Sequence, residues 1–138
     1  MTTSPAQEAP ATEGPRGELA IRTLAMPADT NPSGDIFGGW VMAQMDVAGG
    51  ITAAQRAGGR VATVAVDGFV FHRPVYVGDV LCCYAEVIRV GNTSIAIRIE
   101  AWALRQRDVG NRVKVTEGIF TFVALDETGN KRPVPKQA

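Results

Sequence analysis

One carboxylate stands inside an apolar stretch of the sequence that has helical spacing. Asp46 lies between Met45 and Val47, and the positions one turn away form no charged face. Burying a carboxylate costs free energy unless it is paired, and such groups are concentrated at functional sites. We therefore interpret Asp46 as a functional residue, suited to act as a general base. The alternative is an aspartate on a narrow polar stripe of the helix.

Two glycines, Gly38 and Gly39, lie at the predicted first turn of the same helix. The first N–H groups of a helix have no intrahelical partner, and glycine has no side chain to shield them. Such amides can polarise a carbonyl or hold an oxyanion. Loop flexibility or close backbone packing would also explain the pair. Asp35 is predicted to be the N-cap of the helix, and Asn31 a turn residue before Pro32.

The spacing of these groups restricts how they can cooperate. Asp46 follows Gly38 by eight residues (46 − 38), which is roughly 12 Å along one helix. A general base and an oxyanion donor must both lie within about 3 Å of the reacting group. The groups of one chain therefore cannot serve one carbonyl. If they cooperate, the helix N-terminus of one subunit must face Asp46 of the other across a two-fold dimer, which gives two sites.

Other candidate chemistry is weaker. His72 is the only histidine in the sequence, and with no acid or nucleophile beside it we interpret it as a strand-end residue outside the site. The G-x-S-x-G elbow and the glycine-rich nucleotide motifs are absent, which disfavours a serine hydrolase and a nucleotide fold. Cys82 and Cys83 are adjacent and point to opposite faces of a strand. We expect two reduced, mostly buried thiols and no metal site.

The elements that must position these residues follow from hydrophobic periodicity. Apolar residues recur at helical spacing from about residue 36 to 56, on most of the circumference, so we expect a largely enclosed helix. Strand patterns cover residues 18–26, 60–71, 80–90, 93–106 and 112–126. An antiparallel sheet that wraps one buried helix accommodates every piece, which predicts an α+β fold.

Composition limits the remaining possibilities. A chain of 138 residues suits one domain, and 14 basic against 14 acidic residues argue against a strong nucleic-acid or membrane binder. No apolar run approaches the ~20 residues of a membrane span. Residues 1–17 lack a signal-peptide pattern and are predicted to be a disordered tail. Residues 18–130 form the predicted domain and residues 131–138 a polar tail, in a cytoplasmic protein.

Two motifs carry a resemblance to a known family. They are GDIFGGW…QMD in residues 34–46 and RPVYVGDVLCCYA in residues 73–85. On these, residues 19–135 resemble the hotdog-fold acyl-CoA thioesterases, specifically the bacterial YciA type. The resemblance implies a curved antiparallel sheet around a long central helix, and hydrolysis of acyl-CoA to free CoA and a carboxylic acid. It also implies dimers, assembled as trimers of dimers, and no cofactor, because CoA is part of the substrate.

The resemblance also implies roles for residues. The catalytic acid on the central helix maps to Asp46, which would activate a water or attack the carbonyl itself. The second polar residue of the site maps to Asp35, where related enzymes often have asparagine. The amides that polarise the carbonyl map to Gly38 and Gly39, and Asn31 is a further candidate for binding the oxyanion or the substrate. Candidates for binding CoA are Arg60, Arg89, Asn92, Thr93, Ser94, Arg112 and Lys114.

Two other functions remain open. A hydroxyacyl-thioester dehydratase is disfavoured, because that chemistry commonly needs a histidine with an acid and the predicted helix has no histidine. An acyl-CoA-binding or regulatory module would bind CoA without releasing a thiol. The acyl-chain preference does not follow from the resemblance.

Overall fold

One antiparallel sheet and one long helix make up most of the described chain. The computed structural model describes residues 14–106, 108 and 110–137. The elements are β1 (Glu18–Leu24), α1 (Gly38–Ala57), β2 (Val61–Asp67), β3 (Val80–Val90), β4 (Ser94–Leu104) and β5 (Arg112–Ala124), with a short 3-10 helix at Pro27–Asp29. The strand order is β1-β3-β4-β5-β2. The α+β prediction is confirmed.

Alternate residues of β4 contribute to the helix-facing surface of the sheet. Ile95, Ile97 and Ile99 are fully buried beneath α1, because successive residues of a strand point to opposite faces. The β3–β4 hairpin closes where the Gly91 N–H donates to the Ser94 carbonyl at 2.8 Å. Local patterning and a tight turn therefore determine the centre of the sheet.

Helix α1 buries only one face against this sheet. Its buried residues are Val41, Met45, Ala48, Gly49, Ala53 and Ala57. On the other side Val47 is 53% exposed and Ile51 is 39% exposed. The prediction of a largely enclosed helix is therefore wrong for a single chain, because the sheet covers one side of the helix and leaves apolar residues on the other.

Strand β2 is shorter than predicted. It ends at Asp67 instead of residue 71, because Gly68 has a φ of +75°, which is not the extended backbone of a strand. Residues 68–79 then form an irregular connection to β3. In it, the His72 N–H donates to the Val115 carbonyl at 2.8 Å, so this connection is anchored on β5.

Both ends of the described chain are attached to the domain. Residues 1–13 of the predicted tail lie outside the described residues, whereas Arg16 Nε donates to Glu100 at 2.7 Å. Near the C-terminus, Arg132 donates to the Ala57 carbonyl at the end of α1, and Val134 is buried. The boundaries at residues 18 and 130 stay predictions.

The prediction that the two cysteines are free and buried is confirmed. Cys82 and Cys83 are both free and buried. Cys83 belongs to the core, and burial, with a smaller contribution from Cys82, raises the pKa of the Cys83 thiol to about 12. Cys83 therefore stays protonated at neutral pH.

Within the described residues, no helix is long and apolar enough to cross a membrane.

The contact of α1 with the sheet depends on Gly49. A Cβ there would lie 2.5 Å from Ile99 Cδ1 and 2.9 Å from Phe122 Cζ, and both side chains are fully buried. Gly49→Ala should therefore lower the free energy of unfolding by about 1–3 kcal/mol through overpacking. The matched control is Gly50→Ala, where the nearest atom would lie 3.9 Å from the added Cβ. The higher helix propensity of alanine should raise the free energy of unfolding of this variant by up to about 1 kcal/mol.

Urea denaturation at one fixed protein concentration measures both variants. A Gly49→Ala protein as stable as Gly50→Ala would show that the helix can move away from the sheet at little cost.

Candidate active site

The carboxylate of Asp46 is held by a hydroxyl from the sheet. Asp46 is half-buried on α1, and Thr63 Oγ1 donates to Asp46 Oδ1 at 2.6 Å. Thr63 lies on β2 and pairs with Phe122, which faces the helix, beside a register shift between Thr63 and Ala65. The bond occupies one carboxylate oxygen and restricts the direction of the other, so the acid is oriented before any substrate arrives.

Thr63 is the polar contact of this site that sequence reasoning missed. The alternating pattern of β2 places a hydroxyl at a helix-facing position between Val61 and Val66. The register shift that follows Thr63 interrupts that alternation. The feature of the sequence that could have indicated this contact is a threonine on the strand face that is turned to the helix.

The start of α1 has no side-chain cap. The N-cap is Phe37, which makes no capping hydrogen bond, so the prediction that Asp35 is the N-cap is wrong. The first bonds of the helix run from Trp40 N, at 3.1 Å, and Val41 N to the Phe37 carbonyl. The N–H groups of Gly38 and Gly39 therefore precede the helical ladder. A Cβ on Gly39 would meet nothing within 4 Å, so no neighbouring group fills the space beside this residue.

Asn31 organises the loop before the helix, which confirms it as a turn residue. Its Oδ1 accepts from Ser33 N at 2.9 Å and from Asp35 N at 3.1 Å. The Asn31 N–H in turn donates to the Asp35 carbonyl at 2.7 Å. These bonds hold Asp35 three residues before Gly38, with an exposed side chain.

A cavity of about 360 Å³ opens at the start of α1. It is lined by Ile36, Gly38, Val41, Phe71, His72, Arg73, Pro74 and Val75. His72 thus lies on the wall of the cavity that contains Gly38. The prediction that it is a strand-end residue is wrong, because β2 ends at Asp67 and residues 68–79 return to the helix. Asp46 is not among the lining residues, which agrees with its separation of eight residues from Gly38 along α1.

The candidate CoA-binding residues fall into two groups. Arg60 and Thr93 accept backbone hydrogen bonds from Leu125 and Ala124, both at 2.9 Å. Asn92 and Ser94 belong to the same end of the sheet, and Arg89 pairs with Ala96 nearby. This group can form one polar surface.

The second group lies elsewhere. Arg112 pairs with Leu104 at the far end of β4, roughly 30 Å from Ser94 at about 3.4 Å per residue. Arg112 covers the Trp102 ring at 5.7 Å, and Lys114 forms ion pairs with Glu117 and Glu100. The seven candidates therefore do not form one binding surface on one chain.

Known proteins match this chain along most of its length. The family described as the thioesterase superfamily matches residues 33–109. The acyl-CoA thioester hydrolase YciA of Salmonella typhimurium is 56% identical over 125 residues, covering 89% of this chain and 94% of the relative. The YciA protein of Escherichia coli K12 is 54% identical over 123 residues, covering 88% and 93%.

Solved structures agree. A hexameric thioesterase from Yersinia pestis is 55% identical with a TM-score of 0.85, covering 89% of this chain and 99% of that one. A hexameric broad-specificity acyl-coenzyme A thioesterase is 49% identical with a TM-score of 0.86, covering 91% and 86%. The chain therefore belongs to the thioesterase superfamily, as a hotdog-fold thioesterase of the YciA type, which confirms the family inferred from its motifs.

Proposed function

We propose that the protein hydrolyses acyl-CoA thioesters to free CoA and a carboxylic acid, as an oligomer of identical chains. The observation that carries the proposal is the Asp46 carboxylate, oriented by Thr63, on a helix that begins with uncapped glycine amides. Relatives at 54–56% identity are named acyl-CoA thioester hydrolases. The reaction needs no cofactor, because CoA belongs to the substrate.

In the proposed mechanism, the amides at the start of α1 and the Asp46 carboxylate have separate roles. The amides of Gly38 and Gly39 donate to the thioester oxygen and stabilise the oxyanion that develops on it. The second oxygen of Asp46 either takes a proton from a water that attacks the carbonyl carbon, or attacks that carbon itself to give a mixed anhydride that water then hydrolyses. In both routes the C–S bond breaks and CoA leaves as a thiolate that takes up a proton. Thr63 supports both routes by keeping that oxygen pointed at the substrate.

Two chains complete each site in this proposal. Gly38 and Asp46 lie in one continuous helix, roughly 12 Å apart, so the oxyanion amides must come from the partner. The free side of α1 suits a second copy, because Ala43 and Val47 are exposed there. Val64 and Val66 on the edge strand β2 are exposed as well. A trimer of such dimers gives the hexamer that solved relatives form.

The remaining parts of the proposal concern CoA, the second polar residue and location. Arg60, Arg89 and the turn at residues 92–94 are proposed to bind the CoA phosphates. Asp35 is proposed to act with Asn31 in holding the loop beside the thioester. Two free, buried thiols suit a reducing compartment, so we propose a cytoplasmic location.

Removal of the Asp46 charge should abolish turnover without unfolding the protein. Asp46→Asn keeps an oxygen that can accept from Thr63 but removes the base and nucleophile. We expect kcat to fall by about 10²–10⁴-fold, measured as thiol release from acyl-CoA. The control is Asp67→Asn, an exposed carboxylate on β2, which should keep wild-type kcat. Wild-type turnover in Asp46→Asn would refute the assignment, and binding without thiol release in the wild type would indicate a binding module.

A proline can delete one oxyanion donor and leave the helix in place. Gly38 is the first residue of α1 and follows Phe37, whose φ of −58° and ψ of 135° suit a residue before proline. Gly38→Pro should lower kcat by about 10²–10³-fold, because its N–H is lost. Gly38→Ala keeps the N–H and is the matched control. Equal kcat in the two variants would contradict a role for this amide.

Subunit mixing tests the composite site. Asp46→Asn and Gly38→Pro proteins are each expected to be nearly inactive. When they are unfolded together in equal amounts and refolded, half of the dimers should be mixed, with one intact site each. We therefore expect about a quarter of wild-type activity, measured as thiol release after the mixture is shown to form oligomers. Activity no higher than the average of the two parent variants would mean that each site lies within one chain.

A further inference from the structure

One large apolar side chain stands at the mouth of the cavity beside the proposed oxyanion amides. Phe71 lines this cavity together with Gly38, and its side chain remains 43% exposed. A Cβ built on Gly38 would lie 3.4 Å from Phe71 Cζ. The ring is therefore in van der Waals range of the first turn of α1, where the thioester carbonyl is proposed to bind.

The ring of Phe71 is held on a rigid support. Phe71 packs on Phe69 with ring centroids 5.5 Å apart, and Phe69 packs edge-on against Phe120 at 5.9 Å. The flanking backbone is fixed to β5, because Thr116 Oγ1 donates to the Val70 carbonyl at 2.7 Å and His72 N donates to β5 as described above. An exposed ring on an anchored backbone forms a wall that will not easily move away from a ligand.

The lining of the cavity indicates which part of the substrate meets this wall. Its buried members are Ile36, Val41 and Val75, which are 8%, 2% and 4% exposed. His72 and Arg73, in contrast, are exposed at the rim. A thioester carbon carries an apolar acyl chain on one side and the polar arm of CoA on the other. Burial of apolar surface favours the acyl chain in the apolar part of the cavity.

We propose that Phe71 is a specificity-determining residue whose ring limits the acyl chain beside the reacting carbonyl. The inference rests on the proposed thioesterase function and extends it to the choice of substrate. With the ring in place, the cavity accepts short acyl chains more readily than long ones. Without it, the cavity gains the volume of the ring beside Gly38, and longer chains can enter the apolar part of the cavity.

The test compares acyl-CoA substrates of different length. For Phe71→Ala, we expect the ratio of kcat/KM for lauroyl-CoA to kcat/KM for butyryl-CoA to rise about tenfold or more over wild type, which is the size of discrimination that pocket contacts give. Phe71→Leu should give an intermediate ratio and keeps an apolar side chain if the alanine variant folds poorly. The control is Val70→Ala, at an adjacent residue that is 61% exposed and outside the cavity lining, with a wild-type ratio.

The outcomes separate this inference from the proposed function. A wild-type protein that releases no thiol from any acyl-CoA would refute the function itself. An active wild type with an unchanged or lower ratio in Phe71→Ala would overturn the role of Phe71. An equal loss for all chain lengths would also overturn it, because the ring would then only support the start of α1.

Discussion

The close approach of α1 to the sheet at Gly49 determines where the functional groups lie. Ile99 and Phe122 occupy the space that a side chain at this position would need, so the helix settles onto them with one particular face. Asp46 lies three residues earlier, less than one turn away. The rotation of the helix about its own axis that this packing imposes directs the Asp46 carboxylate to β2, where Thr63 donates a hydrogen bond to it. The same rotation turns Val47 away from the sheet. One packing contact thus sets both the orientation of the acid and the apolar surface beside it.

The length of the helix imposes the second constraint. A continuous helix is a rigid spacer, with a rise of about 1.5 Å per residue, and no side-chain motion can bring its first turn to its middle. The amides of Gly38 and Gly39 and the carboxylate of Asp46 are therefore two components held apart by the fold. In the proposed mechanism, association of two chains is part of the chemistry, because it would bring an acid to an oxyanion donor that its own chain cannot supply.

Local features of the sequence predicted much of the fold. The bounds of β3 agree with the prediction, because its apolar composition and the Gly91-Asn92 turn are local signals. Helical periodicity located α1 within two residues at its start and one at its end. The candidate acid was found because a charge in an apolar helix is conspicuous without any tertiary information.

The remaining features depend on tertiary contacts that no local pattern contains. Asp35 has strong capping propensity, yet Asn31 takes its N–H and holds it outside the helix. Thr63 faces the helix only because of its register with β5. His72 reaches the cavity only because residues 68–79 return to α1. Hydrophobicity also could not distinguish a helix face covered by its own sheet from one left exposed on a single chain.

The partial burial of Asp46 is compatible with both a stable fold and the catalytic role proposed for this residue. In a single chain its carboxylate is half-buried and bound to Thr63, so the remaining exposure keeps the desolvation cost small. A second helix packed on the free side of α1 would remove much of the remaining water, and hydrogen bonds strengthen as the local dielectric falls. The oriented acid would thus enter the low-dielectric environment that favours the reaction only when the amides of the partner arrive. Under this proposal, partial exposure lets a single chain fold with little desolvation cost at Asp46, and assembly supplies the environment in which the carboxylate reacts.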